Sequence, residues 1–206
     1  MKTICTEYVS NAGFLVSTLT ALSQKLLIVA GTQFGTILVK QINKENGKTT
    51  SDSEKLLANI NLISNLAGLI LSVGFGILSD KIAIYKLMTI VNLIVLAMWY
   101  PMWVDVSNNR IGWPYIIGFV TANSTLHVSV VLGSTLLGKI CKEETRGTMF
   151  GFNGFFGSIG IFLLQLTGGK LYNDFSKLGP IDIGFIIQFI TFIVTLGFGM
   201  AGKIKI

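Results

Sequence analysis

Three polar side chains stand in long apolar surroundings and carry most of the chemistry the sequence has to offer. Lys25 interrupts an otherwise apolar stretch between Tyr8 and Val39, while Asn123 and His127, the only histidine, lie four residues apart in the most polar of the long uncharged runs. A spacing of four puts Asn123 and His127 on one helix face. A lysine in mid-membrane costs roughly 2.5–3.5 kcal/mol unless water or a partner meets it, and no acid lies within any of the uncharged runs. Lys25 therefore either faces a wet cavity, where it binds an anionic group, or lies nearer an interface and snorkels from a tilted helix. Thr18, Thr32 and Thr36 share its side. An imidazole can relay a proton or hydrogen-bond a solute, and His127 has these roles open to it beside that of a neutral histidine bonded to a neighbouring helix. Asn123-Ser124-Thr125 matches a glycosylation sequon, but within a span it is not expected to be modified. There is no phosphate loop, no metal-spaced Cys/His set and no acid and nucleophile around the histidine, so no enzyme, catalytic residue, metal site or cofactor is expected.

The elements that must position these residues are transmembrane helices. Of the 206 residues 51% are apolar and 13% charged, with mean hydropathy +0.67, against about a quarter charged in a soluble domain. Cutting at the charges leaves the uncharged runs Leu56–Ser79, Leu87–Val104, Ile111–Gly138, Gly147–Gly169 and Ile183–Gly202, each near or beyond the ~18 residues of a spanning helix. The stretch around Lys25 makes a sixth. The runs lack the period-two alternation of a membrane barrel. The expectation is an all-α membrane protein of six spans, 14–39, 56–78, 87–104, 113–137, 147–169 and 182–202, with one long polar loop, 40–55, and no soluble headpiece.

Six spans put both termini on one side, side A, with the loops near Asp80 and Arg146. Side A carries Lys2, Lys81, Lys86, Lys139, Lys142, Arg146, Lys203 and Lys205; side B carries Lys40, Lys44, Lys48, Lys55, Arg110, Lys170 and Lys177. So even a split leaves the positive-inside rule undecided. The net charge of +6 is scattered over two faces and forms no nucleic-acid patch. Cys5 and Cys141 both fall on side A, as expected without a structural disulfide. The apolar stretch after Met1-Lys2 is too long for a signal peptide and lacks a clean small-residue cleavage site.

Two spans carry stripes of small residues. Asn61, Asn65, Gly68, Ser72 and Gly76 share one face of the second helix, and Gly147, Gly151, Gly154 and Ser158 one face of the fifth. Such stripes let backbones approach closely where lipid gives no hydrophobic drive, or else line a pore or cavity.

The sequence Gly76-Ile77-Leu78-Ser79-Asp80-Lys81 resembles the loop signature of the major facilitator superfamily: Gly, any, Leu, small, Asp, Arg or Lys, any, Gly, then two basic residues. The later part departs from it, with Ala83 for the second glycine, Ile84 and Tyr85 at the paired basic positions, and Lys86 one place late. Such degenerate versions are usual in the second half of these transporters. Lys142-Glu143-Glu144-Thr145-Arg146-Gly147-Thr148, running into Met149-Phe150-Gly151-Phe152-Asn153-Gly154, resembles the entry into their eleventh helix, and Gly168 to Asp174 is similar to its exit. The resemblance covers about half the chain and implies the C-terminal six-helix half of such a bundle, with side A and both termini cytosolic.

It implies further that Asp80, Lys81 and Arg146 are gate residues, as against ordinary interfacial charges. It also implies that the first and fourth helices line the central cavity, adding Gln33 to Lys25, Asn123 and His127 as solute-binding candidates near the midplane. A complete transporter of this kind has twelve helices. The chain is thus expected to be a fragment, to pair with a second half-bundle from another copy or another chain, or no longer to transport. The expected function is transmembrane transport of a small solute by alternating access; the alternative is a non-transporting structural subunit of a larger membrane complex.

Overall fold

An uncharged run in lipid must satisfy its backbone within itself, and the helix does so locally. In the computed structural model, which describes residues 11–204, six helices are long and apolar enough to span a membrane. They are α1 Ala12–Glu45, α2 Thr50–Leu78, α3 Ile84–Ser107, α4 Trp113–Ile140, α5 Glu143–Phe175 and α6 Gly179–Met200. Among the described residues there is no strand. The chain is an all-α, multi-pass integral membrane protein.

α2 ends at Leu78 and α4 starts at Trp113 as expected, but other helix ends differ from those expected where a polar residue was taken as a stop. The segment 40–55, expected as a loop, is mostly helical. α1 runs on to Glu45, Gly47 turns the chain at φ 74°, and α2 begins at once behind a capping box between Thr49 and Asp52. Asn43 Nδ2 donates to Ser53 Oγ at 3.1 Å, tying the two helix ends together beyond the apolar zone. Asp105 does not stop α3 either. Its buried carboxylate accepts from Arg110 Nε (2.7 Å), Gly112 N (3.0 Å) and Tyr115 N (2.9 Å), closing the turn and satisfying the first amides of α4. α3 breaks at Met98, between helical pieces ending at Ala97 and starting at Trp99, because Pro101 offers no N–H to the Ala97 carbonyl.

The helices pack in two layers. α5, α1, α4 and α2 form one, in that order, and α6 and α3 cover the other side of α1 and α4. The main contacts of α1 are with α4, α5 and α6, and those of α4 with α1, α2 and α3; α3 and α6 pack on each other. Exchanging the first three helices with the last three maps these main contacts onto one another, although α5 also touches α6 without a comparable contact of α2 with α3, and burial follows the same exchange. In their most apolar windows α1 and α4 are 50% and 61% buried, α3 and α6 both 33%, and α2 and α5 only 17% and 22%. Because α1 and α4 run in opposite directions, this is the contact pattern of an inverted repeat of two three-helix units.

Close approaches set the crossings. A Cβ on Gly68 of α2 would stand 2.7 Å from the His127 ring, so this part of the expected α2 stripe is a packing position. Ser72 is half-buried, and Gly76 meets only a Val131 methyl at 3.9 Å. The expected α5 stripe is not a packing face: Gly147, Gly151 and Gly154 have nothing within 4 Å of a Cβ. α5 packs instead through Gly157, Gly160 and Gly168, which lie against Lys25, Leu22 and Phe34. Gly157 and its stripe sit one residue round the helix from Ser158, about 100°, and glycine spacing alone does not say which stripe faces the bundle.

Candidate functional site

The antiparallel contact of α1 with α4 fixes depth. Ser17 Oγ donates to the Gly133 carbonyl (3.2 Å), and Gly35 meets the Tyr115 hydroxyl, so Lys25 lies level with Thr125 and Leu126, a residue or two from His127. Both face the open side of the α5–α1–α4–α2 layer, but each leans towards its own flank.

Lys25 leans onto α5. Its stem crosses Gly157, where a Cβ would stand 2.7 Å from its Cδ, and Nζ donates to the Gly154 carbonyl at 3.4 Å. His127 leans onto α2. Its ring covers Gly68, and Nε2 lies 3.3 Å from Asn65 Oδ1. The two crossings match under the exchange of the repeats: a polar side chain of a central helix lies over a flanking glycine and reaches a polar group three residues before it. Gly157 and Gly68 make room for the side chains, and lipid exclusion makes their polar ends seek partners.

Beside Lys25 a cleft of mixed polar and apolar lining opens between α1, α4 and α5, with a volume of about 200 Å³. Ser17, Gln24, Lys25, Ser134 and Asn153 supply its polar groups, and Lys25 is the one charge among its lining residues. Gln24 is only 3% exposed, and its Nε2 has no hydrogen-bond partner among the described residues; neither has Asn153 Oδ1. Leaving such a group unpaired costs about 1–3 kcal/mol. Among its lining residues the cleft thus holds one cation, one open amide donor, one open amide acceptor and no acid.

The four expected solute-binding residues are therefore not one cavity. Asn123 turns to a separate, very small apolar cavity of about 30 Å³ between α1, α3, α4 and α6, walled by Leu27, Phe119, Leu126 and Phe185. Gln33 is exposed, eight residues or about 12 Å beyond Lys25 along α1. Gln24, Ser134 and Asn153 escaped sequence reasoning. Gln24 adjoins Lys25, and Asn153 stands four and seven residues before Gly157 and Gly160, on the face beside the stripe read as packing; an amide in line with those glycines is the signal that could have found it.

Of the expected gate residues, Asp80 pairs with Lys139 of α4 (3.6 Å), whose Nζ also donates to the Ser79 carbonyl (2.9 Å). Lys81 and Arg146 are exposed and make no ion pair with another described residue. Asn92 and Gln188 join α3 to α6 through a buried amide pair (2.9 Å) at the centre of the exchange. No group of three His, Cys, Asp or Glu among the described residues could hold a metal ion. Cys141 is buried at the end of α4, and Cys5, Lys2 and Lys205 lie outside the described residues. No protein-family model matches the chain, and no curated protein matches it in sequence.

Proposed function

We propose that the chain is a six-helix half of a carrier of the major facilitator type, moving a small solute by alternating access. The observation that carries this reading is the inverted repeat with its two matched polar crossings at one depth. Carriers of this kind bind solute near the bilayer midplane and rock repeat-built bundles around the site. On this reading Lys25, Gln24 and Asn153 hold the solute. Lys25 supplies the charge and Asn153 Oδ1 an acceptor, so the solute is a small monoanion that also carries a donor, such as a hydroxycarboxylate. The open α5–α1–α4–α2 face meets a second half-bundle, supplied by another copy or another chain. Asp80, Lys81 and Arg146 lie at the side A end, the cytosolic one, where charges exchange partners as the bundles rock. The Asp80–Lys139 bond is the pair that opening would break. His127, at the depth of the solute, is the group suited to carry a coupled proton.

Uptake of labelled small carboxylates, amines and neutral analogues into proteoliposomes tests the reading. Anion uptake that survives Lys25→Arg and fails in Lys25→Ala supports it. No uptake of any class, together with stable co-migration with unrelated subunits in native gels, would replace it with the structural-subunit reading.

A further inference from the structure

We propose that the lipid-facing groove between α3 and α6 binds a phospholipid with a primary ammonium headgroup, of the phosphatidylethanolamine class, in the leaflet at side B. The groove holds about 820 Å³ of open space between Leu96 and Trp99 of α3 and Asp182, Phe185, Ile186 and Phe189 of α6. Ile186 and Phe189 are 59% and 54% exposed, so it opens outward, away from the cleft beside Lys25 and towards lipid. A surface inside the bilayer is filled by lipid rather than water, and the question is which headgroup its one charge selects.

Asp182 answers it. Trp99 Nε1 donates to Oδ1 at 2.8 Å, while Oδ2 accepts from no described residue and no described cation pairs with the carboxylate. A carboxylate on a lipid-facing wall needs a partner, and an ionisable group there is a functional candidate. The depth suits a headgroup. α6 has 22 residues, about 33 Å, little more than the ~30 Å of hydrocarbon, and Asp182 lies in its first turn. Tyr100, Trp103 and Trp113, all exposed, mark the same end as an aromatic belt. The rings of Trp99 and Phe185, 6.5 Å apart, wall the site with faces that favour a cation. A primary ammonium donates hydrogen bonds to Oδ2, whereas a quaternary one has none to give. An anionic headgroup would set like charge beside Asp182.

The test is native mass spectrometry of the full chain from micelles holding equal amounts of ethanolamine, choline and glycerol phospholipids with the same acyl chains. Ethanolamine lipid is expected to be retained roughly tenfold over the other two, the scale of one charge-assisted hydrogen bond. Asp182→Asn keeps an acceptor for Trp99 and should remove the preference. On the native protein alone, stepwise N-methylation of the headgroup should lower retention at each step. Equal retention of the three classes, indifference to methylation, or a preference that survives Asp182→Asn overturns the proposal. None of these readouts depends on transport.

Discussion

Lys25 and His127 occupy matched positions, yet substitution beneath them should act differently. A Cβ on Gly157 meets the Lys25 stem at 2.7 and 3.1 Å and the Ala21 carbonyl at 3.2 Å. The stem is flexible but the Ala21 carbonyl is not, so Gly157→Ala should lower thermal stability less than Gly68→Ala does while displacing Nζ from the cleft and raising the KM for anion uptake several-fold. A Cβ on Gly68 meets the His127 ring and also its Cβ, at 3.1 Å, which moves only with α4. Gly68→Ala should therefore destabilise by about 1–3 kcal/mol, seen as a lower thermal midpoint in detergent. His127→Gln preserves a hydrogen-bonding group opposite Asn65. It is expected to keep uptake at fixed pH while losing acceleration by an inward proton gradient; acceleration unchanged in the variant would remove His127 from coupling.

At the scale of the helix, existence was legible and ends were not. About twenty uncharged residues in lipid have little choice but a helix, so five spans could be read from the runs alone and the sixth from the apolar stretch around Lys25. Charge was a poor guide to where they stop. Asp105 is buried because two amides and Arg110 compensate it, and residues 40–45 and 50–55 continue helices beyond the apolar zone because caps hold them. Asp105→Ala removes the acceptor of all three bonds at the α3–α4 turn and should cost about 2–3 kcal/mol. Asp105→Asn, able to accept but uncharged, should cost less; equal midpoints for the two variants would mean that a neutral acceptor contributes nothing there and that the carboxylate charge holds the turn. The site was legible where one residue type was out of place, as with Lys25 and His127. It was hidden where partners come from another helix: Gln24 and Asn153 become a site only because α5 turns its second glycine stripe, not its first, towards α1.

Across the whole molecule, two features that single residues do not reveal meet on one face. The inverted repeat places α1 and α4 at the centre, and α2 and α5 remain the most exposed spans, flanking the open side on which Lys25 and His127 lie. That arrangement gives the account its central claim, a carrier half whose solute charge is met by Lys25. The most direct test is uptake of a labelled small carboxylate into proteoliposomes by the native chain, Lys25→Arg and Lys25→Ala. The account predicts saturable uptake by the first two and at least a tenfold loss in the third, since a buried charge-assisted bond is worth about 1.5–3 kcal/mol. Uptake equal in all three, or confined to neutral and cationic solutes, would contradict it.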